Sequence, residues 1–210
     1  MKTMLLIRKL EKLILAVILG LIAPTIGLLA FWWGAVPFLL EDWIPLTALT
    51  GMALGLLVDV LFLKRWVRRA HQLDIKLWMA IYLFYSMCVF GFFMGVPVFN
   101  PLLAIPAGFV VGGRLAEEGA DSLRVQKAAQ RTAWFTMIIL FLICIASAFI
   151  ALASPSTLYD LQAMLGLGFE VTQGMVIGLI VVGGLTLLAL GWGLAIAAVR
   201  FSFTFLQRKV

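Results

Sequence analysis

The chain has 210 residues, 64% hydrophobic and 12% charged, with a net charge of +6 and a mean hydropathy of +1.12. A soluble domain carries about a quarter charged residues and a bilayer crossing takes about 20 apolar ones, so water is excluded as the main solvent and the length leaves room for several spans and no folded soluble domain. The basic balance would suit nucleic acid, but the Lys and Arg residues flank apolar runs, which excludes that partner.

Six apolar runs cover 13 to 36, 43 to 63, 77 to 97, 98 to 113, 132 to 153 and 174 to 199. They lack the alternation of barrel strands, and in hydrocarbon a helix satisfies its own backbone, so the expected fold is an all-α integral membrane protein of six transmembrane helices forming one domain over 1–210. The opening "MKTMLLIRKLEKLILAVILG" has the basic start of a signal peptide, but its apolar run is too long and no small-residue cleavage site follows it, so it is read as the first span. That run carries Ala16, Gly20, Ala23, Gly27, Ala30 and Gly34, spaced to share a helical face. Trp32, Trp33, Trp43 and Tyr159 fall at one boundary of the spans and Trp66, Trp78 and Trp134 at the other, the depths at which amphipathic rings anchor.

The second run sets Thr47, Gly51, Gly55 and Asp59 on one face, and Asp59 is the only acid within an expected span. A charged carboxylate at a span centre costs about 2.5 to 3.5 kcal/mol on insertion scales, so such a group faces protein or a water-lined cavity. Asp59 also lies close before Lys64, roughly 7.5 Å along the axis, and a basic side chain snorkelling inward would pair with it. Two readings follow. The structural one is a tight contact between the first two helices that closes over Asp59; the functional one is a protonatable or cation-binding carboxylate at the end of a groove.

In the third run Tyr82 and Ser86 share a face and extend a polar patch, with Tyr85 beside them. Cys88 and Cys144 lie in apolar runs with no CxxC spacing and read as packing residues. The fourth run, in "GVPVFNPLLAIPAGFVVGGRL", carries Pro101, Pro106, Gly108, Gly112 and Gly113; at about 16 residues, near 24 Å of helix, it is expected to be short, kinked or partly unwound, a form that lines transporter sites. Asn100 is expected to cap this helix, and with Pro106 it joins the candidate contact residues.

The inner "RLAEEGADSLRVQKAAQRT" reads as a solvated extension of its neighbours. Beyond the fifth run, which holds Ser147, the outer "SPSTLYDLQAMLGLGF" offers Ser154 as an N-cap and Pro155 at the first helical position, so an interfacial helix is expected over 155–169. Gly174, Gly178, Gly183, Gly184, Gly191 and Gly193 of the last run read as helix packing. Six spans divide as three plus three, as in inverted-repeat transporters, but little corresponds between the halves: Pro24 and Pro106 fall at different depths and nothing in the fifth run answers Asp59.

With the N-terminus inside, all 16 basic residues fall on one side: Lys2, Arg8, Lys9 and Lys12; Lys64, Arg65, Arg68, Arg69 and Lys76; Arg114, Arg124, Lys127 and Arg131; Arg200, Arg208 and Lys209. The outer loops hold only Glu41, Asp42, Asp160 and Glu170. This bias implies six crossings with both termini cytoplasmic, in a cytoplasmic membrane of prokaryotic type.

The sole histidine, His71, stands among Arg68 and Arg69, where contact with lipid phosphate is expected. A haem with two His ligands, a HExxH zinc site and a Ser/His dyad all lack their parts, and no phosphate loop is present; neither cofactor, metal site nor enzymatic activity is expected. In size, span number and orientation the chain is similar to the substrate-binding membrane subunits of energy-coupling factor transporters, a similarity of architecture that assigns no residue.

The expected function is transport, or membrane-embedded substrate binding, of a small solute or ion, with Asp59 as the ionisable group, Thr47, Gly51, Gly55, Tyr82, Ser86, Asn100 and Pro106 around the site, and the Pro101 to Gly113 segment as a flexible wall. The alternative is a non-catalytic scaffold or assembly subunit. Expected partners are the lipid bilayer and, through small-residue faces, another membrane subunit or a second copy.

Overall fold

The computed structural model describes residues 12–154, 157–166 and 171–207, and among them it contains helices and turns but no strand. Helix α1 covers Lys12–Ala35, broken at Leu21 and regular over Ile22–Ala35. Helix α2 is Ile44–Arg69 and α3 is Ile75–Phe92. A 3-10 segment, Pro97–Leu103, leads into α4, Ala104–Glu117. Then come α5, Ser122–Ala153, the short α6, Thr157–Leu165, and α7, Gln173–Gln207.

Six helices are long and apolar enough to cross a membrane, which makes this a multi-pass membrane protein by length and composition: Lys12–Ala35, Glu41–Arg69, Ile75–Phe92, Pro97–Glu117, Ser122–Ala153 and Gln173–Gln207. Their surfaces agree with lipid as solvent, since large apolar side chains such as Val60, Leu61 and Phe149 stand exposed. Several helices outrun their apolar stretches. Helix α5 has 32 residues and α7 has 35, about 48 and 52 Å at 1.5 Å per residue against a hydrocarbon core of about 30 Å. The backbone ladder continues where the side chains turn polar, and for the same reason the fourth span reaches 21 residues rather than about 16.

The chain divides into two compact units at Leu73/Asp74. The first is a helical hairpin of α1 and α2, packed backbone to backbone. A Cβ added at Gly55 would lie 2.5 Å from Pro24 Cα and 2.6 Å from the Ala23 carbonyl carbon. One added at Gly51 would lie 2.6 Å from Phe31 Cγ and would collide with the Gly27 carbonyl oxygen, while one at Gly27 would collide with that of Gly51. Glycine lets two backbones approach this closely, and the reward in lipid is dispersion and weak polar contact along the crossing. Pro24 sits within this contact and, lacking an N–H, interrupts the α1 ladder at Leu21. At Gly34 nothing lies within 4 Å, so the contact has ended there.

The second unit is built around the 3-10 segment, which packs against α3, α4, α5 and α7. Pro97, Asn100 and Pro101 are all buried in it. Such irregular backbone is tolerated at membrane depth when protein covers it. Helices α4 and α7 cross closely: a Cβ at Gly108 would stand 2.6 Å from Ala198 Cβ, and one at Gly112 would stand 2.8 Å from Ser202 Cβ. The Ser202 hydroxyl donates to the Phe109 carbonyl at 2.9 Å, tying the two helices.

Helix ends account for the turns. α4 closes with Gly119 in the left-handed region at φ +64, and Ala120 N–H donates to Leu115 O at 3.0 Å, a Schellman closure. Asp121 then caps α5, its side chain accepting from Arg124 N–H at 3.0 Å. α3 closes with Gly95 N–H donating to Phe90 O at 2.9 Å, which puts Met94, at φ 53, in the position glycine usually takes.

Four expectations are corrected. Asn100 does not cap the fourth helix, because α4 begins after Leu103 without a side-chain cap, and its amide is engaged with α3 instead. Ser154 is the C-cap of α5, its N–H bonded to Ile150 O, and the outer helix begins at Thr157; Pro155 and Phe169 lie outside the described residues. Trp78, expected as an anchoring ring among lipid, is buried within the second unit in the first turn of α3. In α7 a Cβ would meet a neighbouring helix at Gly191, 3.0 Å from Leu140 Cδ2, whereas nothing lies within 4 Å at Gly178, Gly183, Gly184 or Gly193.

Candidate functional site

In the hairpin, α2 carries Thr47, Gly51, Gly55 and Asp59 one turn apart, and α1 answers them with small residues. Gly51 and Gly55 are covered by Gly27, Ala23 and Pro24, so the backbone of α1 fills this face. Thr47 lies higher, beside a cleft of about 360 Å³ lined by Ala30, Phe31, Gly34, Ala35, Phe38, Leu39 and Thr47. Its hydroxyl donates to its own helix at Trp43 O, 2.8 Å away, a local bond that leaves it little to offer a ligand.

Asp59 stands at the other end of this stripe, roughly 18 Å from Thr47 along the helix. It is only 6% exposed. Opposite it is Gly20, where an added Cβ would lie 3.8 Å from Asp59 Oδ2 and 3.1 Å from Leu63 Cδ2. Asp59 Oδ1 is buried without a hydrogen-bond partner. Among the described residues the expected pairing with a snorkelling base is not made: Lys64, Arg65, Arg68 and Arg69 are exposed, and none of them bonds to Asp59. The reason is angular. At about 100° per residue the side chain of Lys64 leaves α2 some 140° around from that of Asp59, away from α1.

The other candidates lie in the second unit. Asn100, 2% exposed, donates from Nδ2 to the Ser86 carbonyl at 3.0 Å, which pins the 3-10 segment to α3. Its Oδ1 and the Ser86 hydroxyl are both buried without a well-formed hydrogen bond, though Ser86 is within interaction range of Tyr82. Tyr82 packs in an apolar cluster with Ile139 and Ile143, its ring 5.4 Å from that of Phe135. Pro106 sits in the first turn of α4, where its missing N–H leaves no bond unmade. Tyr82, Ser86 and Asn100 therefore form one polar cluster within the second unit, and Asp59 forms a site of its own within the hairpin.

Two residues with structural consequence escaped the sequence reading. Ser202 follows Ala195 and Val199 on the small-residue face of α7, and its position there is the signal that it would meet α4. Pro24 interrupts a helix next to Gly20 and Gly27, and a proline inside a span is the signal for an orphaned carbonyl. Among the described residues no three of His, Cys, Asp and Glu come together to hold a metal ion. The sequence matches no known family model and no curated protein, and the fold matches no solved structure.

Proposed function

We propose that this chain is a transport protein for a small solute or ion, or the membrane-embedded binding subunit of one, with Asp59 as its ionisable group. The observation that carries the reading is a carboxyl buried in an apolar hairpin without a partner. Ionisable groups inside spans are expensive, and they mark solute and ion pathways and proton relays. On this reading the termini are cytoplasmic and the membrane is a prokaryotic cytoplasmic one. No enzymatic step belongs to it.

Purified protein in liposomes, given an inward proton gradient and a panel of small solutes, should accumulate at least one of them, and Asp59→Asn should abolish that uptake or remove its pH dependence. Equal uptake by Asp59→Asn across the pH range would sink the carboxylate's role.

A second reading, a scaffold or assembly subunit, has one observation in its favour. At Gly178, Gly183 and Gly184 of α7 nothing lies within 4 Å, so α7 offers bare backbone to a partner helix at each of these positions. Gly184→Leu should then block co-purification of a membrane partner without destabilising the chain. Gly55→Leu is unsuitable for this test, since its side chain would be driven into α1.

A further inference from the structure

A second oxygen of the hairpin lacks its helical donor, and the residue that carries it, Gly20, lies opposite Asp59. Pro24 has no N–H, so the carbonyl four residues before it, that of Gly20, loses its helical donor. The nearest spare donors of that turn go elsewhere: the Thr25 hydroxyl donates to Leu21 O at 2.6 Å, and Thr25 N–H to the same oxygen at 3.3 Å. Both ends of the gap look at α2. The Pro24 backbone meets Gly55, and Gly20 meets Leu63 and Asp59. Helical carbonyls point along the axis toward the C-terminus, here from Gly20 toward Pro24. The freed oxygen therefore lies on the α2-facing side of α1, between the levels of Asp59 and Gly55.

Two acceptors, a carboxyl and an orphaned carbonyl, thus share one strip of an apolar hairpin with no donor between them. Hydrocarbon penalises this heavily unless something cationic joins them. A metal ion wants about six oxygens, and the residues within a turn of Gly20 and Asp59, namely Ala16, Leu19, Ala23, Gly55, Leu56 and Leu63, supply no side-chain oxygen. A proton needs only these two. Among the described residues the basic groups of the hairpin, Lys12 on α1 and Lys64, Arg65, Arg68 and Arg69 on α2, are exposed, as are Glu41 and Asp42 between the helices, and none pairs with Asp59.

We propose that Asp59 is carried as a carboxylic acid whose proton bridges to the Gly20 carbonyl that Pro24 leaves without a helical donor, making the α1–α2 hairpin a proton-binding site. This deepens the transport reading, on which it rests for the choice of Asp59, by naming the proton as the ion. Removing the proton would leave two facing acceptors and loosen the contact at Gly20, while Gly27, Gly51 and Gly55 hold the crossing above.

Infrared spectroscopy of the full-length protein in liposomes, with carbon-13 in the aspartate carboxyls, tests it. At neutral pH the native protein should show an isotope- and deuterium-sensitive carboxylic-acid C=O band that is missing in Asp59→Asn. Pro24→Ala restores an N–H for Gly20 and keeps a Cα against Gly55, so the band should move to higher wavenumber as the acid loses its acceptor. The absence of such a band, a band that Pro24→Ala leaves in place, or its replacement by a carboxylate band on adding sodium would each overturn the proposal. The comparison of native protein with Asp59→Asn stands even if Pro24→Ala does not fold. A protonated Asp59 together with undiminished uptake by Asp59→Asn would remove the transport reading alone; an ionised Asp59 together with lost uptake would remove the proton site alone.

Discussion

Both units bury oxygens without a well-formed hydrogen bond, Asp59 Oδ1 in the first and Asn100 Oδ1 with the Ser86 hydroxyl in the second, but they join their elements differently. In the second, side-chain donors meet backbone carbonyls of other elements: Asn100 Nδ2 binds Ser86 O and the Ser202 hydroxyl binds Phe109 O. Each such bond fixes one element on another and carries no charge. In the hairpin the contact at Gly27, Gly51 and Gly55 is made chiefly by backbone, with the Phe31 side chain against Gly51, and the buried carboxyl of Asp59 has an oxygen, Oδ1, without a donor. Neutral hydrogen bonds locate a helix cheaply in lipid, whereas a lone carboxyl is costly to bury there.

The sharpest way to break this contrast is to fill a glycine. Gly51→Leu would set a side chain against the Gly27 carbonyl, backbone that cannot move aside, and it should destabilise the hairpin by about 3 kcal/mol or more, read as early proteolysis within residues 12–69. Gly184→Leu, made where nothing lies within 4 Å, should leave stability unchanged in the same assay. Equal effects at the two sites would mean that the glycines of the hairpin are not its contact.

Next in size is Asn100→Asp, which swaps a neutral anchor for a charged one at a buried position. Unfolding followed by tryptophan fluorescence should show a loss of about 3 kcal/mol, the scale of a carboxylate inside a span. Met94→Gly should act in the other direction, since Met94 occupies a left-handed turn at φ 53; relief of about 1 kcal/mol is expected, visible as a raised Tm. The smallest effect belongs to Ser202→Ala. It removes the bond to Phe109 O, worth about 0.6 kcal/mol for an interhelical pair in a membrane, and a loss several times larger would show that the hydroxyl does more than join α4 to α7.

The candidate site was half legible beforehand. The four-residue spacing of Thr47, Gly51, Gly55 and Asp59 announces one helical face, and the complementary stripe on the first run names its partner. What spacing cannot show is occupancy. Gly51 and Gly55 turn out to be filled by α1, Thr47 bonds its own helix, and Asn100 reaches back to α3 instead of capping α4. The orphaned Gly20 carbonyl was implicit in Pro24, but its relevance depends on which residue of α2 stands opposite.

Six apolar helices and a multi-pass membrane protein were readable from residue order alone, because solvent preference is a sum over local stretches and needs no knowledge of what packs where. The partners of each glycine, the neutral cluster of Tyr82, Ser86 and Asn100, and the isolation of Asp59 emerged only from the folded chain. Which small-residue faces meet is decided by helix rotation and crossing, and a face suited to a neighbouring helix looks the same in the sequence whether that helix arrives, as at Gly51, or does not, as at Gly184.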